Sequence, residues 1–230
     1  MDNKKNVPLQ LITGFLLADI ISGGFHWYED TYLDYCTDLP FLDEIAKENE
    51  LHHYFPRSIL AGSYLNNIET TLPIATIILV LLCLMNKNLY KKYPYFLITF
   101  FIFGVGSNII HRFSHMRECE NNDLVNLLQK TGILCSHSHH SKHHRTMNDK
   151  RYCVITEYNN YILDNIDFWR HLEHLVFICT GVKPNRKDGY DEYKDIHNYM
   201  HENAKLDCPV KPTKQDVDEL RRLLKEYKGN

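Results

Sequence analysis

The chain has 230 residues, with 26 Lys and Arg against 29 Asp and Glu and a formal net charge of −3 at pH 7. That near-balance excludes the strongly basic surface on which nucleic-acid binding depends, so no nucleic-acid partner is expected. The mean hydropathy of −0.38 resembles that of a soluble domain, but between Thr70 and Ile110 only Lys87, Lys91 and Lys92 carry charge.

Three apolar blocks approach the roughly 20 residues needed to cross a bilayer. The first runs from Val7 to Phe25, with Lys4 and Lys5 before it and Asp19 inside it. A cleaved signal peptide needs an unbroken apolar centre, which Asp19 interrupts. The second and third, Thr70–Asn86 and Tyr93–Ile110, are joined by a short loop over 87–92 and read as a helical hairpin through a membrane. Two buried helices of a soluble core would each keep a polar face, and Phe96 to Phe103 has none. The fold expected is an all-α integral membrane protein with about three spans, interfacial helices and a histidine-rich cap at one membrane face.

Between and beyond the blocks, Leu39–His53 reads as a helix ended by Pro56, and Asp123–Leu134 as another. Asn165–Cys179 is amphipathic, with Phe168, Trp169, Leu172, Leu175 and Val176 on its apolar side, which suits the membrane interface. Residues 1–184 are expected to form the membrane domain and 185–230 a charged, peripheral tail. That tail closes with a helix from about Lys214 to Tyr227, capped by Thr213 with Asp216 three residues on, and with Val217, Leu220 and Leu224 on one face. Seven cysteines include no CxxC pair and leave an odd count, which disfavours a secreted disulfide scaffold.

The chemistry lies in the 14 histidines. They cluster as His26 after the first block, His52 and His53 in HHYFP, His111 and His115 in HRFSH, and His137, His139, His140, His143 and His144 in HSHHSKHH. On helices, the i,i+4 pair His111 and His115 points one way, as does His140 with His143 and His144, so each set can converge on one ion. A structural zinc uses four ligands, usually including cysteine. Eight or more imidazoles without matched cysteines suit two ions of higher coordination, and iron is among the metals imidazole favours. Between successive clusters the chain crosses the membrane either not at all or twice, so all of them fall on one face. His111 continues directly from the third block, which puts metal ligands at the bilayer boundary.

Other polar residues are weaker candidates. Asp19, about two helical turns before His26, is expected to hold that imidazole or a neighbour by its second ring nitrogen. Asp30, four residues after His26, suits a ligand, an acceptor behind a ligand or a helix-end charge. His137, His139, Asn160 and Asp164 are candidates either to ligate or to support a ligand. Asn66, Asn67 and Asn159 fit turn or capping roles better, and His171, His174, His197 and His201 read as solvated.

The segments DIISGGFHWYEDT, HHYFPRSI, NIIHRFSHM, HHSKHH and RYCVITEYNNYILDNIDFWRHLEHLVFICTGVKP resemble the Kua, or plasmanylethanolamine desaturase, family and its plant relatives that desaturate palmitate on plastid phosphatidylglycerol. The likeness covers roughly Asp19 to Pro184, and the FWRHLE…TGVKP ending is more similar to the Kua branch. It implies metal ligation by His26, His52, His53, His111, His115, His140, His143 and His144, with Asp30 as the functional aspartate after HW. The chain departs from the family at Met147 and Asn148, where a Pro followed by His or Tyr is frequent, and at Glu157, where Gly follows the YC motif. The resemblance implies an oxygen-dependent diiron desaturase of membrane phospholipid that forms vinyl ethers in plasmalogen synthesis. An acyl-lipid desaturase or hydroxylase on the same scaffold, or a membrane metal-binding protein, is the alternative. No dinucleotide fingerprint, haem attachment site or iron–sulfur cysteine cluster is present. No flavin or nicotinamide is therefore expected on this chain, and cytochrome b5 with its reductase is the expected donor. That donor points to the endoplasmic reticulum with the histidine face cytosolic, against the lysine bias of the loops. Basic residues near the site, Arg57, Arg112, Lys142 and Arg145, are candidates to meet lipid phosphate.

Overall fold

A computed structural model describes residues 6–33, 39–145, 150–185 and 208–227. Cys36, Met147, Asn148, His197 and His201 lie outside them. All regular structure among the described residues is helical. Helix α1 spans Val7–Thr31, α2 Pro40–Tyr54, α3 Tyr64–Glu69, α4 Thr71–Met85, α5 Leu89–Lys92 and α6 Pro94–Ser114. Then come α7 over Asp123–Lys130, α8 over His137–Arg145, α9 over Glu157–Asn165, α10 over Phe168–Thr180 and α11 over Lys214–Tyr227.

Val7–Thr31, Tyr64–Met85 and Pro94–Ser114 are each long and apolar enough to cross a bilayer. The first runs past the expected end at Phe25, because HWYEDT contains no helix breaker, and so it carries His26 and Asp30 on its last turns. Proline lies in the first turn of both α1 and α6, where its missing N–H costs nothing. The outward faces present Leu9, Ile12, Ile77, Leu81, Ile98 and Ile102, which is uncovered apolar surface of the kind lipid satisfies.

Helices α1 and α6 pack most closely. A Cβ added at Gly14 would lie 2.6 Å from the Phe96 carbonyl oxygen, so only glycine allows this approach. Around the crossing, Ala18, Phe100, Ile110, Leu134, Val154 and Ile155 form a core, with Phe15 edge-on to Phe103 at 4.7 Å between centroids. Helix α10 turns Trp169 and Glu173 inward and leaves Leu175, Phe177 and Ile178 exposed, as an interfacial helix does.

Helix α11 forms as expected, capped by Thr213 and Asp216. Its Val217, Leu220 and Leu224 are buried against Leu51 and Phe55 at the end of α2. Arg221 adds a two-pronged hydrogen bond to Glu48, both distances 2.9 Å. A disulfide joins Cys119, after α6, to Cys208, before α11. The C-terminal helix thus braces the helix that carries His52 and His53.

Candidate metal centre

Four helices converge at one end of the bundle. Helix α1 contributes His26 and Asp30, α2 His52 and His53, α6 His111 with His115 at its cap, and α8 His140, His143 and His144. Their donor atoms fall into two groups, each able to hold a metal ion: His52, His111, His115, His140 and His144, and beside it His26, Asp30, His53 and His143. Within a group all donor atoms lie within 4.8 Å of one another. The partition follows helical geometry. Pairs at i,i+4, His111 with His115 and His140 with His144, share one group, whereas the neighbours His52/His53 and His143/His144 diverge into different groups.

In the five-histidine group the Nε2 atoms of His111 and His140 are 2.8 Å apart, those of His111 and His115 3.1 Å, and those of His140 and His144 3.1 Å. No carboxylate belongs to this group. Burial, reinforced by the adjacent imidazoles, holds His52, His115, His140 and His144 well below the ordinary histidine pKa, so all four are neutral at pH 7. Neutral rings converging lone pair on lone pair are what a cation draws together.

In the second group Asp30 is the hub. Its carboxylate is 2.7 Å from His53 Nε2, 3.3 Å from His143 Nε2 and 3.6 Å from His26 Nε2, and it accepts a 3.0 Å hydrogen bond from Asn49. Two of these rings are oriented by backbone. His26 Nδ1–H donates to the Tyr152 carbonyl at 3.0 Å, and His143 Nδ1–H to the Lys150 carbonyl at 2.7 Å. A carbonyl only accepts, so Nδ1 carries a hydrogen in both rings and Nε2 is the nitrogen that faces Asp30. Among the described residues, His26 Nε2 and both ring nitrogens of His52 are buried with no hydrogen-bond partner, a cost that a bound cation would remove. The donor set fits two ions of the iron class, with three or more imidazoles for each and a carboxylate for one.

The family model of the lipid desaturase domain matches residues 15–187. The chain belongs to the lipid desaturase family. A probable fatty acid desaturase of Acanthamoeba polyphaga mimivirus is 33% identical over 184 residues, 78% of this chain and 87% of that protein. Mouse plasmanylethanolamine desaturase 1 is 31% identical over 190 residues, 79% of this chain and 69% of its own. Fatty acid desaturase 4-like 2 of Arabidopsis thaliana chloroplasts is 30% identical over 172 residues, 74% of this chain and 60% of its own. No solved structure matches the chain.

The remaining candidates of this lipid desaturase lie around the two groups. Asp19 does not reach His26. It is fully buried and accepts from the N–H groups of Ile155 and Thr156 at 2.8 and 3.2 Å and from the Asn159 amide at 2.8 Å. Asn160 grips the same stretch, accepting from Cys153 N–H and donating to Cys153 O. Gly23 completes the arrangement, since a Cβ there would lie 2.7 Å from Cys153 Sγ. Together they hold the segment whose Tyr152 and Lys150 carbonyls aim His26 and His143.

His139 turns away from both groups, to Asn160 at 3.2 Å and to Glu157 at 3.5 Å. Asp164 receives the Arg151 N–H at 3.3 Å. His137 is half-buried outside the groups, and burial with Arg117 and Arg57 nearby lowers its pKa to about 4. His171 and His174 are exposed on α10.

Two of the four basic residues proved structural. Arg112 donates to the carbonyls of Ile59, Leu60 and Gly62 and stacks on Tyr64 at 4.8 Å. Arg57 pairs with Glu120 and reaches the His115 carbonyl. Sequence patterning missed the Tyr152 and Lys150 carbonyls, because any residue type supplies a carbonyl. Glu157, noted in the sequence only as a departure from the family, accepts from Ser136 at 2.5 Å and ties the start of α9 to the start of α8.

Proposed function

We propose that this chain is an oxygen-dependent diiron desaturase that converts the alkyl-ether chain of a plasmanyl phospholipid into the vinyl ether of a plasmenyl phospholipid. The observation that carries the reading is the pair of adjoining donor groups at one end of three membrane-crossing helices. The mouse relative bears the name of this reaction, as does one from Myxococcus xanthus at 28% identity. The FWRHLE…TGVKP ending adds to that side. The mimivirus and plant relatives are named as fatty acid desaturases, which favours an acyl-lipid substrate as the second reading.

His52, His111, His115, His140 and His144 would hold one iron, and His26, Asp30, His53 and His143 the other. Bound iron would supply oxygen activation and removal of two hydrogen atoms from adjacent carbons. Atoms and electrons balance when –CH2–CH2– becomes –CH=CH– and O2 leaves as two waters. Two of the four electrons and two of the four hydrogens come from the substrate, two electrons from an external donor and two protons from solvent. Cytochrome b5 with its reductase fits that role, with the protein in the endoplasmic reticulum and its histidine face cytosolic. Burial keeps His52, His115, His140 and His144 neutral, and backbone carbonyls aim His26 and His143. Asp30 and Asn49 present a carboxylate beside three rings, able to hold a proton or a cation.

The test is lipid mass spectrometry on cells lacking plasmanylethanolamine desaturase, expressing this chain and fed an alkylglycerol. Acid-labile ether lipids lighter by two hydrogens are expected, and His111→Ala or His143→Ala should abolish them while the protein remains in the membrane. Loss of two hydrogens from acyl chains alone would establish the second reading. A gained oxygen would make the protein a hydroxylase.

A further inference from the structure

A cleft opens between α1, α2, α4 and α6. Its inner end is formed by His26 from one donor group and His111 from the other. The lining changes character in the same direction on α1, α4 and α6. On α1, Glu29, His26 and Ser22, with Phe25 among them, give way to Ile21 and Ala18. At the head of α4, Thr70 and Thr71 give way to Ile74, Ala75 and Ile78. On α6, Asn108 and Ser107 give way to Gly104 and Phe100. Three separate stretches of sequence thus build one gradient, polar at the histidines and apolar in the membrane. Along α6 the distance from His111 to Phe100 is about 16 Å at 1.5 Å per residue, close to one leaflet of a hydrocarbon core about 30 Å thick.

We propose that this cleft binds a single saturated hydrocarbon chain of a glycerolipid drawn from the adjoining leaflet. The glycerol-linked end lies beside His26 and His111, and the methyl end points toward Ile78 and Phe100. This deepens the desaturase reading and rests on it. The carbons within reach of the donor groups are then those nearest the ether or ester linkage, whose oxygen meets the polar rim of Asn49, Thr70 and Asn108. Chain length is read at the far end. There a Cβ added at Gly104 would sit 3.5 Å from Ala75 Cβ, in ordinary contact, so a methyl fits and a larger group must enter the cleft.

Photo-crosslinking of the full-length protein in membranes tests this. The probes are two glycerophospholipids with a diazirine near the methyl end of one chain, one chain ether-linked and the other ester-linked. Adducts on the α4 and α6 peptides around Ile78 and Phe100 are expected from at least one probe, and the linkage that labels identifies the lipid. Ile78→Trp should diminish those adducts and shift desaturation from long toward medium chains by about tenfold, with metal content unchanged. Gly104→Leu should do the same and stands in if the first variant fails to fold. Adducts confined to lipid-facing positions such as Leu81 and Ile102, unaltered by either substitution, would overturn the cleft while desaturation by the wild type left the enzyme reading intact. Cleft adducts without loss of hydrogen from any lipid would sink the enzyme reading and leave the lipid site standing.

Discussion

Among the single residues, the i,i+4 pairs His111 with His115 and His140 with His144 each bring two imidazoles to one donor group. His143, which the spacing sets with His140 and His144 on one ion, instead joins His26, Asp30 and His53, because successive helical residues point about 100° apart. The residues that orient the imidazoles were not legible, because their partners are remote backbone atoms: Asp19 meets Ile155 and Thr156, and His26 meets Tyr152. Glu157 shows the same limit. Burial raises its pKa, but hydrogen bonds from His139 and Ser136 outweigh that and hold it at about 2, against an ordinary value of 4.5. A carboxylate with a depressed folded-state pKa adds stability above its unfolded pKa and loses it as the pH falls through the folded one. Glu157→Gln should therefore cost thermal stability near neutral pH. Its deficit relative to wild type should shrink as the pH is lowered from about 4.5 toward 2, read as paired melting curves. Parallel curves across that window would show that the Ser136 and His139 contacts contribute nothing.

At the level of elements, the three spans and the terminal helix were readable from apolar runs and an i,i+3/i+4 stripe. Helix α9 was not: Glu157–Asn165 is short and polar, and forms around the Thr156 cap and the Asn159 and Asn160 contacts. The partner of α11 was also hidden, because an apolar stripe does not say what covers it. The structure sets that stripe on α2, next to His52 and His53. Leu220→Asp should release α11 at a cost of at least about 2 kcal/mol, as for a large buried residue lost from a core. It should also reduce the metal retained after detergent extraction. Retention equal to wild type, with α11 cleaved readily by protease, would mean that α2 keeps its ligands in place unaided.

For the whole molecule, cysteines, lysines and the electron donor each bear on which way it faces. The histidine face carries the Cys119–Cys208 pair, and the opposite end carries Lys87, Lys91 and Lys92 in the α4–α6 connection. A cytosolic electron donor favours a cytosolic histidine face, whereas a disulfide persists where the compartment is oxidising, and loop lysines prefer the cytosol. Alkylation of the unreduced protein in intact membranes, read by peptide mass, decides between them. On the cytosolic placement Cys119 and Cys208 should take up the reagent as thiols. Protection that is lifted only by reductant would put the histidine face in an oxidising compartment and require the donor to be there.

The two donor groups are the centre of the account, and metal content tests them most directly. The purified wild-type protein, expressed with adequate iron, should hold two irons per chain by elemental analysis, and His111→Ala or His143→Ala should hold fewer. One zinc per chain and no iron would contradict the account and make the histidine cluster a metal-holding site without oxidative chemistry.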